Sequence, residues 1–158
     1  MLIILSELRL GPIYSRIMNS SEKKVRTGGA EFGQISIRLA RLYPGVKQIF
    51  AIDANPDHSE ILELNLATAG INFQVYNKAI SDFHGNAELI FPHGQDNTHS
   101  AYIRESATGS IQVTRIDDIV DVGDLDAALK LDIEEQELSA IAGAVKTITS
   151  ARNICFFC

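Results

Sequence analysis

The sequence has no tryptophan, only two cysteines and only four prolines in 158 residues. Both cysteines, Cys155 and Cys158, stand three apart at the C-terminal end. They build no disulfide framework, and the expected setting is a reducing cytoplasm. Long apolar runs are missing too. The longest, such as Met1-Leu2-Ile3-Ile4-Leu5, fall far short of the ~20 residues a membrane-spanning helix needs, so no membrane span is expected. That run is also too short for a secretory segment and has no basic residue before it. Positive charge is scarce, with 14 basic against 20 acidic residues and a net charge of −6. An acidic surface is a poor start for binding a phosphate backbone, so nucleic acid is excluded as an expected partner. The densest basic cluster, Lys23-Lys24-Val25-Arg26, reads as a solvated segment. No repeat or low-complexity stretch is present.

What is there is 46% hydrophobic and 22% charged residues, a balance that excludes a disordered chain, a collagen-like fibre and a coiled coil. The length suits one domain with a real core. Residues 1–24 form a separate N-terminal segment, helical if Leu8, Ile13, Ile17 and Met18 share a face across Gly11-Pro12. The α/β domain occupies 25–158.

Within that domain the glycine-rich turn Gly28-Gly29-Ala30-Glu31-Phe32-Gly33 runs into a helix, with Ile35, Leu39 and Leu42 on one face and a stop at Tyr43-Pro44-Gly45. Gln48–Asp53 is apolar on both faces, as a strand in a covered sheet is. Asn55 as N-cap and Pro56 at the first helical position open the next helix, which turns Ile61, Leu62, Leu66 and Ala69 inward and stops at Gly70. Residues 71–77 alternate as a strand. Residues 81–116 change texture: a turn at His84-Gly85-Asn86, a strand at Ala87–Phe91, a polar loop at Pro92–Ser100 and a short strand at Ile111–Thr114. They predict an antiparallel excursion. A strand over 127–133 follows, then a helix carrying Leu138, Ile141, Val145 and Ile148, then an apolar strand over 153–158. Ending inside a strand suggests a shortened version of a larger domain. The alternation predicts an α/β fold, a Rossmann-like open and mostly parallel sheet flanked by helices, with terminal strands missing. The strand before the glycine turn is expected to be short or distorted, because residues 19–26 are polar.

Two constellations carry chemistry. Asp53 stands at the end of a strand, 20 residues beyond Gly33. Glycines let a backbone approach a ligand, and an acid at that distance suits the ribose hydroxyls of a nucleoside. The glycines spell Gly29-x-x-x-Gly33 rather than G-x-G-x-x-G, which disfavours a nicotinamide oxidoreductase. The second constellation is Lys130-Leu131-Asp132-Ile133-Glu134. Lys130 and Asp132 share one face of a strand whose carboxyl end is where open sheets place ligands. An internal ion pair that closes the strand fits the same residues. His58, His84, His93 and His99 have no metal-ligand spacing, so no metal is expected. Cys155 and Cys158 point to opposite faces of a strand and read as buried thiols.

In order along the chain stand G-A-E-F-G-Q-I-S-I-R-L-A-R-L-Y-P-G from Gly29, I-D-A-N-P-D from Ile52, N-K-A-I-S-D from Asn77 and G-N-A-E-L from Gly85. T-R-I-D-D-I from Thr114, K-L-D-I-E-E-Q-E-L from Lys130 and A-G-A from Ala142 follow. This ordered set resembles the FkbM family of S-adenosylmethionine-dependent methyltransferases over about three quarters of the sequence. The resemblance implies the class I methyltransferase fold, S-adenosylmethionine as cofactor, and O-methylation of a hydroxyl on a sugar or another small molecule. It implies that Gly29, Ala30 and Gly33 frame the methionine part of the cofactor, that Asp53 and Ala54 hold the ribose, and that Ala79 lies near the adenine. Asp132 and Glu134 would face the transfer site as the catalytic acids. The sequence departs from the family at Thr27, where an acid is usual, at Glu31, where asparagine is usual, and at Glu135, where glycine is usual. These departures imply weak cofactor binding and keep open a non-catalytic, truncated or degenerate member as the alternative.

Overall fold

A computed structural model of the chain describes residues 23–28, 30, 32–42, 46–70, 72–92, 101–121 and 126–157. The expected N-terminal segment lies outside them except for Lys23 and Lys24, which already belong to the first strand. Gly29, Glu31, the loop from His93 to Ser100 and Cys158 lie outside the described residues as well.

In chain order the elements are strand β1 (Lys23–Gly28), helix α1 (Gln34–Leu42), β2 (Val46–Asp53), α2 (Pro56–Ala67), β3 (Asn72–Asn77) and β4 (Ala79–Ile80). β5 (Gly85–Ile90), β6 (Tyr102–Glu105), β7 (Ile111–Thr114) and α3 (Ile116–Ile119) come next. β8 (Asp126–Leu131), α4 (Glu137–Ala142), α5 (Val145–Ser150) and β9 (Asn153–Phe157) complete the chain.

β8 lies between β1 and β9 and runs parallel to both. All six of its residues are buried, as a strand covered on both faces requires. It stops at Leu131, two residues short of the span predicted from sequence, because the chain turns sharply at Glu134 and Glu135, whose φ angles are +38° and +66°. β2 and β3 pair in parallel from Gln48↔Asn72 to Asp53↔Asn77. The expected distortion of the first strand is absent: β1 pairs with β8 over six consecutive residues, Lys23↔Asp126 to Gly28↔Leu131. Strand pairing runs through the backbone, so a polar sequence does not forbid it.

The excursion is a sheet of its own, in the order β4-β7-β5-β6. β4 and β7 are parallel, while β5 is antiparallel to both β7 and β6. The fold is therefore mixed α/β with several sheets, parallel in the pairings of β1, β2, β3, β8 and β9 and mixed in the excursion. Gly85 and Asn86, read as a turn, pair with Val113 and Gln112 inside β5. β6 has no counterpart in the sequence reading.

Helix faces needed correction at two places. In α2 the Asn55 Oδ1 accepts from the Asp57 N–H at 3.1 Å, and Pro56 takes the first helical position, as the cap chemistry predicts. Leu62 and Leu66, one turn apart, are buried, but Ile61 is 46% exposed because it lies about 100° round the helix from Leu62. Ala69 falls beyond the helix end. The helix predicted through Leu138, Ile141, Val145 and Ile148 is two short helices, and Leu138 and Val145 face solvent. The break has a cause. The Asp117 N–H donates to the Gly143 carbonyl at 3.0 Å, and the Asp117 carboxylate accepts from the Lys146 and Thr147 N–H groups at 2.9 and 2.7 Å. A side chain from α3 thus caps a new helix start at Val145.

The main core contains Leu39, Ile49, Ile52, Leu62, Leu66, Ile116 and Leu129, all fully buried. Each such side chain contributes roughly 1.5–3 kcal/mol of burial. A second, smaller cluster of Ala79, Ala87, Ile111 and Val113 lies within the mixed sheet. No helix among the described residues is long and apolar enough to cross a membrane.

Candidate active site

The carboxyl ends of β2 and β8 open into one cavity of about 210 Å³. It is lined by Ile52, Asp53 and Ala54 at the end of β2, with Asp132, Ile133 and Glu134 just past β8. Lys78, Ala79 and Ile80 line it too, as do Leu89, Tyr102 and Ile103 of the mixed sheet. Of the residues singled out from sequence, Asp53, Ala54, Ala79, Asp132 and Glu134 all line this space. Gly29 lies outside the described residues.

Ala30 and Gly33 do not line the cavity. The Ala30 N–H donates to the Ile52 carbonyl at 3.2 Å, which ties the glycine turn to the end of β2. Gly33 has φ +77°, and a Cβ there would come within 2.9 Å of Leu62 Cδ1. Its lack of a side chain serves the packing of α1 on α2, together with a left-handed backbone that other residues adopt at a penalty.

Asp53 is 7% exposed and is tied to the chain from both backbone and side chain. Its carbonyl accepts from Asn77 Nδ2 at 3.0 Å and from the Lys78 N–H at 3.1 Å, which binds the ends of β2 and β3 together. Its Oδ1 accepts from the Asn55 N–H at 2.9 Å and lies 3.2 Å from His58 Nδ1. His58 is itself buried, with Asn55 Nδ2 at 3.1 Å from its Nε2 and the Phe32 ring edge-on at 4.9 Å. Sequence reading missed His58 because it looked only for metal spacing. The available signal was its place three residues past the N-cap Asn55, within reach across the first turn of a helix.

Lys130 and Asp132 form the ion pair that the spacing allowed, between Nζ and Oδ2. The lysine side chain is 6% exposed and the aspartate side chain 59% exposed, so the pair carries a buried charge to the cavity rim. Glu134 and Glu135 occupy the left-handed backbone region that non-glycine residues enter at a penalty of roughly 1–2 kcal/mol each. Such strained residues gather at ligand sites. Among the described residues no group of three His, Cys, Asp or Glu could hold a metal ion. Cys155 is buried, and that burial pushes its thiol pKa up, away from a reactive thiolate.

A cavity of this kind, set beyond the carboxyl ends of parallel strands with a buried acid in its lining, marks a ligand-binding α/β domain. Residues 28–157 match the family described as methyltransferase FkbM domain, and the chain belongs to that family. Methyltransferase FkbM from Methylobacillus flagellatus KT, a crystal structure, is similar in fold with a TM-score of 0.60 and 22% sequence identity. The similarity covers 86% of this chain and 32% of that one, so this chain spans about a third of that protein's length. No curated protein matches the chain.

Proposed function

We propose that the cavity binds S-adenosylmethionine and that the domain methylates a hydroxyl of a sugar or another small molecule. The carrying observation is that Asp53, Ala54, Ala79, Asp132 and Glu134, drawn from three separate parts of the sequence, line one cavity. The residues present suit a nucleoside: a buried carboxylate for ribose hydroxyls stands beside the apolar surface of Ile80, Leu89 and Ile103. Asp53 and Ala54 would hold the ribose, and Ala79 would lie near the adenine. When bound, this cofactor supplies an electrophilic methyl group on a sulfonium sulfur. Asp132, at the rim and held by Lys130, is the carboxylate suited to accept the proton of an acceptor hydroxyl. Glu134 beside it would orient that hydroxyl.

We also read the two parallel pieces as one Rossmann-like sheet of the class I methyltransferase type, in the order β3-β2-β1-β8-β9. Its support is that β1 and β2 lie against each other along their lengths. Residues 23–157 would then form one domain, at work in a reducing cytoplasm. Calorimetry with S-adenosylmethionine, S-adenosylhomocysteine and NAD tests the assignment. Binding of the first two and not of NAD is expected, followed by transfer of labelled methyl to a sugar panel. A folded chain that binds neither sulfur compound would overturn it.

A second reading, a family member that binds its cofactor weakly and does not turn over, is favoured by Glu135. That residue sits at φ +66° where the family carries glycine. Thr27, in register with the buried Lys130, replaces the acid expected for the cofactor's ammonium group. A charge-assisted hydrogen bond lost in this way weakens binding by about 1–2 kcal/mol. A low-micromolar dissociation constant for the unmodified chain would exclude this reading.

A further inference from the structure

The carboxylate of Asp53 is held by a short relay of side chains, and the hydrogen bonds of that relay locate the ring proton of His58. Asn55 Oδ1 accepts from the Asp57 N–H at 3.1 Å as the N-cap of α2. The oxygen of this amide is thereby located, and the atom facing His58 Nε2 at 3.1 Å is the Nδ2 donor. A nitrogen that receives a hydrogen bond carries no proton, so Nε2 is the bare nitrogen of the ring. The ring proton then sits on Nδ1, which donates to Asp53 Oδ1 at 3.2 Å. Oδ1 also accepts from the Asn55 N–H at 2.9 Å. One residue, Asn55, thus sets the Asp53 carboxylate twice: directly through its backbone and indirectly through the imidazole.

We infer that His58 is a positioning residue for Asp53, held as the neutral Nδ1–H imidazole by the Asn55 amide, and that it aims the carboxylate at the nucleoside. This rests on the ribose-holding role proposed for Asp53. Protonating His58, or moving its proton to Nε2, would set two donors face to face at Asn55. Relief would require the amide to flip and give up the cap on Asp57. The burial of both side chains, 6% exposed for His58 and 8% for Asp53, leaves little water to replace these bonds. A histidine that merely filled space against Phe32 would need neither a fixed tautomer nor an amide.

The test has two arms. Nitrogen-15 imidazole shifts of the unliganded full chain at pH 8 should show a protonated Nδ1 and a bare Nε2 for His58; an Nε2–H ring overturns the inference, without any ligand. The second arm measures adenosine binding by calorimetry in His58→Asn, His58→Gln and His58→Leu, with melting curves as the folding check. The asparagine amide nitrogen falls near the place of Nδ1 and keeps the donor, so His58→Asn should bind within about threefold of the parent. His58→Gln and His58→Leu lose it and should weaken binding roughly tenfold or more, as expected when a hydrogen bond to a charged group is lost. Equal affinity in all three folded variants overturns the role of His58 and leaves the assignment of the cavity standing. A parent chain that binds neither adenosine nor S-adenosylmethionine overturns both.

Discussion

Gly143 stands between α4 and α5 with φ −79°, so its backbone is one that alanine adopts without penalty. The space is another matter. A Cβ there would lie 2.1 Å from the Ser81 carbonyl oxygen and 3.0 Å from the Ser81 carbonyl carbon. Ordinary carbon–oxygen contacts begin above about 3 Å, so roughly 1 Å of backbone movement is required, and neither atom belongs to a flexible side chain. Overpacking of this kind costs about 1–3 kcal/mol, and a contact with backbone belongs at the upper end. Alanine gains about 0.4–1 kcal/mol by restricting the unfolded chain. The net expectation for Gly143→Ala is a loss of about 2 kcal/mol, or a melting temperature lower by roughly 4–8 °C for a chain of this size. Gly70→Ala is the control. There φ is +65° and nothing lies within 4 Å of the added carbon, so only backbone strain of about 1–2 kcal/mol, less the same unfolded-state gain, remains. Differential scanning calorimetry of both variants separates the two effects. Ser81 follows β4, whose Ala79 and Ile80 line the cavity, so Gly143→Ala should also weaken nucleoside binding while Gly70→Ala should not. A Gly143→Ala melting temperature within about 1 °C of the parent would refute the steric reasoning.

Asp53→Ala removes a buried charged acceptor, so S-adenosylmethionine affinity should fall about 10- to 150-fold in calorimetry; unchanged affinity in a folded variant takes Asp53 out of the site. Glu135→Gly relieves a left-handed φ worth roughly 1–2 kcal/mol and gives back about 0.4–1 kcal/mol to the unfolded chain, so urea denaturation should show a gain of about 0.5–1 kcal/mol. Asp118 accepts from Arg115 Nε at 2.9 Å and lies 3.0 Å from His84 Nε2; the Arg115 guanidinium, with a smaller effect from His84, holds its carboxyl below the usual range. A depressed carboxylate stabilises the fold above its ordinary pKa, and that contribution is lost as pH falls through the folded value. Arg115→Met should therefore flatten the decline of melting temperature below about pH 4, and an unchanged acid limb would count against the pairing.

Much of the parallel scaffold was legible, because its signals are local or periodic. The helix starts at Gln34 and Pro56, the N-cap at Asn55 and the apolar runs that became β2 and β8 follow from capping and burial rules that act within a few residues. What escaped depends on distant partners. The break at Gly143 comes from Asp117, far away in sequence, and β6 exists only because β5 pairs with it. In the site, Asp53 was visible from its place at a strand end, whereas His58 became meaningful only once its ring was seen between Asn55 and Asp53. Gly33 shows the converse: its type was read correctly as special, but Leu62 rather than a ligand occupies the space it leaves.

The lining of the cavity draws on two separate apolar clusters. Ile52, Ile80 and Ile133 pack with the large core, whereas Ala54, Leu89 and Ile103 pack on the small cluster of Ala79, Ala87, Ile111 and Val113. A change of side chain at Leu89 or Ile103 therefore disturbs few of the packing interactions around Ile52. That part of the lining can be recut, residue by residue, while Ile52 keeps its place. In a laboratory search for altered ligand preference, diversity belongs at Leu89, Tyr102 and Ile103, and Asp53 should be left alone.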